Sequence, residues 1–126
     1  MKTHTGECHC GKVSYTVEDD LENVIECDCS HCYAKGLILS FVPQDNFHLT
    51  INGKEASPDE SVSAGLTEYL FNKKFIHHVF CDVCGVESYA YAIMPDGQKT
   101  VSVNLRCLKD FDMATVTITK YSGKDI

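Results

Sequence analysis

Seven of the eight cysteines fall into three short groups: Cys8-His9-Cys10, Cys27-Asp28-Cys29-Ser30-His31-Cys32 and Cys81-Asp82-Val83-Cys84-Gly85, with Cys107 apart. A disulfide wants Cα atoms about 4.4–6.8 Å apart with facing Cβ vectors, which neighbours one or two residues apart meet poorly. The same closeness suits a metal ion, whose ligands converge on one point. An even count raises a four-disulfide framework. Yet 126 residues are enough to build a core without staples. The opening Met1-Lys2-Thr3-His4-Thr5-Gly6 also leads into no apolar export segment. Metal ligation in a reducing, cytoplasmic setting is the expectation.

Charge narrows the function classes. Eleven Lys and Arg against eighteen Asp and Glu leave a net charge of −7, which argues against a bulk electrostatic grip on nucleic acid or an anionic membrane. No stretch approaches the ~20 apolar residues of a membrane span. The length fits a single domain over residues 1–126. Short runs rich in Val, Ile, Tyr, Phe and Thr indicate an all-β fold. They are expected over Glu7–Val17, Asn23–Asp28, Leu37–Val42, Phe47–Ile51, Leu66–Phe71, Phe75–Cys81, Glu87–Met94, Thr100–Leu108 and Ala114–Tyr121. Ser30 to Gly36 reads as one helical turn, capped by Ser30 and stopped by Gly36. Lys54 to Gly65, polar, acidic and carrying Pro58, reads as a mobile loop.

A strand sends residues i and i+2 to one face, so Cys8 and Cys10 are expected to present two sulfurs side by side. Cys81 and Cys84 form the complementary C-x-x-C turn, with Gly85 free to take positive φ. Two and two make a closed tetrahedral zinc set, one that ties the first strand to a segment about seventy residues on. Cys27 and Cys29 are expected on one strand face, with Cys32 one helical turn further. Three thiolates leave an open position, the arrangement of catalytic zinc. Two alternatives would close it: His31 inside the motif, or the lone Cys107 folding over. Cys107 otherwise reads as a small buried hydrophobe. An iron–sulfur cluster wants four cysteines in a recognised spacing, which this group lacks.

Gly6-Glu7-Cys8-His9-Cys10-Gly11-Lys12-Val13, the Cys27–Cys32 block, Phe80-Cys81-Asp82-Val83-Cys84-Gly85 and Val103-Asn104-Leu105-Arg106-Cys107-Leu108 together resemble the family of glutathione-dependent formaldehyde-activating enzymes and centromere protein V. The resemblance implies an all-β, tent-like fold and two zinc ions per chain. A structural ion falls on Cys8, Cys10, Cys81 and Cys84, and an active-site ion on Cys27, Cys29 and Cys32. It implies a carbon–sulfur lyase acting on adducts of a small thiol, glutathione or similar, with an aldehyde such as formaldehyde. The chain is shorter than the formaldehyde-activating members, with fewer residues for a glutathione pocket. A non-catalytic zinc module docking to a protein partner, or a thiol carrier, is the alternative.

A free thiol with pKa near ~8.5 is only a few per cent ionised at pH 7, so metal-assisted deprotonation is the expected chemistry. Acid–base candidates are His31, His77 and His78, the last two facing opposite ways along a strand. The carboxylates of a tripeptide thiol would need cations, for which Lys35, Lys73, Lys74 and Arg106 are candidates. Tyr33, directly after the three-cysteine block, is the candidate pocket wall.

Overall fold

The computed structural model describes residues 2–71, 75–109 and 111–121. Among the described residues lie eleven strands and one α-helix: β1 Lys2–Glu7, β2 Val13–Asp19, β3 Val24–Cys27, α1 Ser30–Lys35, β4 Ile38–Pro43, β5 Phe47–Ile51, β6 Lys54–Ala56, β7 Thr67–Tyr69, β8 His77–Phe80, β9 Tyr89–Ile93, β10 Lys99–Asn104 and β11 Ile118–Tyr121. They form a four-stranded sheet, β1-β2-β5-β6, and a seven-stranded sheet, β11-β3-β4-β10-β9-β8-β7. Every pairing is antiparallel except β11, which runs parallel to β3. The all-β expectation holds.

Period-two alternation builds the main core. Val13, Tyr15 and Val17 of β2 pair in register with Ile51, Leu49 and Phe47 of β5, and all six are buried. They pack on Val42, Val79, Tyr89, Val101 and Val103 from the larger sheet. A fully buried side chain of this kind contributes roughly 1.5–3 kcal/mol. Tyr15 crosses the interface and donates its hydroxyl to the Asn104 carbonyl at 3.3 Å. Gly6 lies opposite Tyr15 in the β1–β2 register. A Cβ built on Gly6 would sit 2.4 Å from the Tyr15 ring, so the hairpin needs a bare backbone there.

The structure redraws several boundaries. The expected strand Glu7–Val17 is two pieces, with Cys8 and Cys10 in the turn between β1 and β2. Gly11, at φ 84°, makes that turn. Cys29, not Ser30, caps α1. The strand expected to reach Leu108 ends at Asn104, and Leu105–Cys107 form a 3₁₀ turn, so Arg106 is not on a strand. The strand expected from Ala114 begins at Ile118, after a 3₁₀ turn over Met113–Thr115. The segment expected to be a mobile loop is packed instead. It holds β6 and a 3₁₀ turn, Pro58–Glu60, with a capping box between Ser57 and Glu60. Pro58 and Ser61 are fully buried, and the Ser61 hydroxyl bonds to the Tyr89 hydroxyl.

Candidate metal centres

Cys8 and Cys10 sit on a knuckle turn at the tip of the β1–β2 hairpin. The Cys8 amide donates to the Val13 carbonyl at 3.0 Å, and Cys8 Sγ accepts from the Val13 amide at 3.4 Å. Cys81 and Cys84 follow β8 on a matching turn. There the Cys81 amide donates to Val86 at 3.1 Å, the Gly85 amide to Cys81 at 2.9 Å, and Cys81 Sγ accepts from Val83 at 3.4 Å. Each turn therefore aims amides at sulfur, which stabilises thiolate. Lys12 joins the knuckles, its ammonium 2.5 Å from Asp82 and 3.2 Å from the Gly65 carbonyl.

The four sulfurs lie within 4.8 Å of one another, with Cys8–Cys10 at 3.7 Å and Cys10–Cys81 at 3.6 Å. The edge of a tetrahedron with Zn–S near 2.3 Å is about 3.8 Å, so the set fits zinc. Without an ion the sulfurs cannot all ionise. The Lys12 amide favours a Cys10 thiolate, but desolvation and the thiols of Cys81, Cys8 and Cys84 outweigh it, pushing Cys10 up to about 12. Burial works against ionising Cys84 too. The Val86 and Cys10 amides and the Cys8 and Cys81 thiols overcome that and bring it down to about 6. A dication removes the conflict by stabilising every thiolate at once.

The second set is built locally. Cys27 ends β3; Cys29 is extended at the helix N-cap, its Sγ accepting from the Cys32 amide at 3.4 Å; Cys32 lies within α1. The two strand-face cysteines expected here are thus one strand residue and one cap. Gly36, at φ 67°, ends the helix and returns its amide to the Cys32 and Tyr33 carbonyls. The three sulfurs converge within 4.8 Å, packed with Leu37 and Leu39. Burial works against a Cys29 thiolate, but the Cys32 amide and the thiols of Cys32 and Cys27 hold it below the ordinary thiol value. Burial pushes Cys27 and Cys32 up. Among the described residues no fourth sulfur joins this group.

Neither alternative for closing it is what the structure shows. Cys107 packs on the main core beside Cys84, and burial pushes its thiol up. His31 turns instead toward His78 and Glu87, and one ligand atom from each of these three lies within 4.8 Å of the others. His78 Nδ1 donates to Glu87 Oε2 at 3.0 Å, and Lys35 Nζ donates to Oε1 at 2.9 Å. Burial alone would raise the Glu87 carboxyl, yet these two bonds hold it below the usual range. Burial, then the charge of His78, draws His31 down to about 4, leaving it neutral. His77 faces the other way, bonded to Glu68 at 2.5 Å and stacked on Tyr91.

Glu87 was not singled out from the sequence. Its one signal is an isolated acid inside the otherwise uncharged stretch Val86–Ile93. Of the expected cations, Lys35 is engaged by Glu87 and lies over the Phe80 ring, and Arg106 donates Nε to the Gly36 carbonyl at 3.0 Å. Lys73 and Lys74 lie outside the described residues. Tyr33 is exposed rather than packed in a core.

By class this is an all-β protein with cysteine clusters that could hold metal ions. The model of the glutathione-dependent formaldehyde-activating enzyme family matches residues 3–123, and the chain belongs to that family, as its motifs led us to expect. Its fold is similar to the crystal structure of a Rhodobacter sphaeroides protein solved by structural genomics. That likeness has a TM-score of 0.70 at 24% identity, covering 91% of this chain and 99% of that one. Among the described residues no helix is long and apolar enough to cross a membrane.

Proposed function

We propose that this chain, acting as one domain in a cytoplasmic setting, catalyses reversible addition of a small thiol, glutathione or similar, to an aldehyde such as formaldehyde. Read in the breakdown direction, this is a carbon–sulfur lyase acting on S-hydroxymethylglutathione or a close analogue. Family membership supports the reaction class. The observation that carries the site is the contrast of four converged sulfurs in one set with three in the other. On this reading Cys8, Cys10, Cys81 and Cys84 hold a structural zinc, and Cys27, Cys29 and Cys32 hold the catalytic one.

When bound, zinc at the three-cysteine set supplies a Lewis acid with room for one outside ligand. The chain's own residues do the rest. Apolar packing by Leu37 and Leu39 excludes water from one side of the sulfurs. Cys29 is poised to ionise first because its sulfur already takes the Cys32 amide. Holding thiol and aldehyde together should dominate the rate gain, because formaldehyde needs little electrophilic activation. Tyr33, exposed one residue after Cys32, is the aromatic we assign to substrate contact.

The test is NMR exchange between formaldehyde, glutathione and their adduct. The wild-type protein is expected to accelerate exchange over the spontaneous reaction. Cys29→Ser is expected to abolish that acceleration and to lose one zinc while keeping the β-sheet circular dichroism. Acceleration that survives Cys29→Ser would overturn the assignment of the catalytic set.

A further inference from the structure

A third group of ligating side chains belongs to neither cysteine set. His31 comes from α1, His78 from β8 and Glu87 from the segment before β9. We propose that His31, His78 and Glu87 form a further metal site, for a divalent ion of the zinc class, whose place the Lys35 ammonium takes when the ion is away.

Four observations carry this. Two imidazoles and a carboxylate are the donor set of many open zinc sites, and of facial iron(II) sites. The spacing is close as well: His31 Nε2 is 3.4 Å from Glu87 Oε1, and His78 Nδ1 is held 3.0 Å from Oε2 by a hydrogen bond that an ion would replace. Ligands at about 2.0–2.1 Å around a tetrahedral ion are about 3.3–3.4 Å apart.

The third observation is His31 itself. Its side chain is only 9% exposed, yet neither ring nitrogen has a hydrogen-bond partner among the described residues. Its Nε2 is close to the Glu87 carboxylate but not aligned to bond with it. Buried polar atoms left this way are rare and costly. An ion between the imidazole and the carboxylate would give that nitrogen a partner. The Tyr69 and Phe71 rings stack on His31 and wall the group off from water.

The fourth observation is charge. Glu87 is 2% exposed, and a buried carboxylate needs a cation. Lys35 supplies one from the position i+4 to His31, on the same helix face. Its side chain is 32% exposed, so it can swing to solvent when a dication arrives and like charge repels it. Cys32 follows His31 directly, but successive helical residues leave the axis about 100° apart. The helix thus offers ligands to two separate centres. The cysteine ligation described above is not required for this site.

The experiment is titration of the full chain with Zn²⁺ and, in parallel, Co²⁺. The wild type is expected to saturate at three equivalents. His78→Gln and the near-isosteric Glu87→Gln should saturate at two, with sulfur-to-cobalt charge-transfer absorption unchanged. Cys29→Ser should also lose one equivalent, but with loss of that absorption, which separates failure of the cysteine reading from failure of this one. Lys35→Met, at a surface-reaching position, is expected to bind the third ion about tenfold more tightly. Retention of the full wild-type stoichiometry in both His78→Gln and Glu87→Gln, or unaltered affinity in Lys35→Met, would overturn the proposal.

Discussion

The two cysteine sets differ in what they join. The four-sulfur set gathers two hairpin knuckles from different sheets, and Cys8 and Cys81 are buried in the main core at 1% exposure. The three-sulfur set comes from six successive residues at the junction of β3 and α1, in a separate apolar cluster. A ligand set that closes a loop of about seventy residues must order the chain over that span before it can form. A set drawn from one short segment can fill or empty with little consequence beyond that segment. On the function proposed above, long-range ligation would serve architecture, and short-range ligation would leave coordination available for chemistry.

The sharpest way to break this comparison is to remove one sulfur from each side. Structural zinc in peptides supplies on the order of 10–16 kcal/mol, against about 5–15 kcal/mol for a whole domain. Cys81→Ser is therefore expected to unfold the protein at room temperature, as read by circular dichroism. Cys32→Ser should melt cooperatively, and a mild chelator should empty the three-cysteine set of wild-type protein before ellipticity falls. Equal melting behaviour of the two variants would erase the distinction.

Acid should act next most strongly, on the helix side. His31 binds its proton with a pKa of about 4, against an ordinary value of 6.5. Between these values the unfolded chain carries more proton than the folded one, so stability rises with pH. The contribution is complete above about pH 6.5 and is lost as pH falls toward 4. Its size is on the order of a few kcal/mol. Denaturant melts across that window should be steeper in pH for wild type than for His31→Gln.

Smaller effects belong to the knuckle side. Gly6→Ala sets a methyl against the Tyr15 ring just before the Cys8 turn and should cost about 1–3 kcal/mol by chemical denaturation. Lys12→Gln removes the ammonium that links the Cys10 and Cys81 turns through Asp82. It should lower the melting temperature slightly, and the difference should shrink with added salt.

Much of this was legible because its determinants are local. Alternation in β2 and β5 marked two core strands, and a period of two placed His77 and His78 on opposite faces, as the structure has them. The grouping of seven sulfurs into four and three follows from spacing, although Cys8 and Cys10 share a turn and not a strand face. Alternation alone runs straight through Gly11, whose positive φ breaks the strand. Lys54–Gly65 looked loose because its surface is polar; what anchors it is the buried pair of Pro58 and Ser61. The meeting of His31, His78 and Glu87 was not legible. It depends on α1 lying against β8 and the segment before β9, a tertiary fact with no trace in spacing.

The partner that β11 finds in β3 has a consequence for biosynthesis. The Asp28 amide, beside the second sulfur group, donates to the Tyr121 carbonyl, a residue about ninety positions downstream. While the ribosome is still translating, Cys27 to Cys32 have left the exit tunnel, but the strand that flanks them has yet to be made. The surroundings of this sulfur group are complete only once β11 has been made, so an ion held there would meet its finished site late in synthesis.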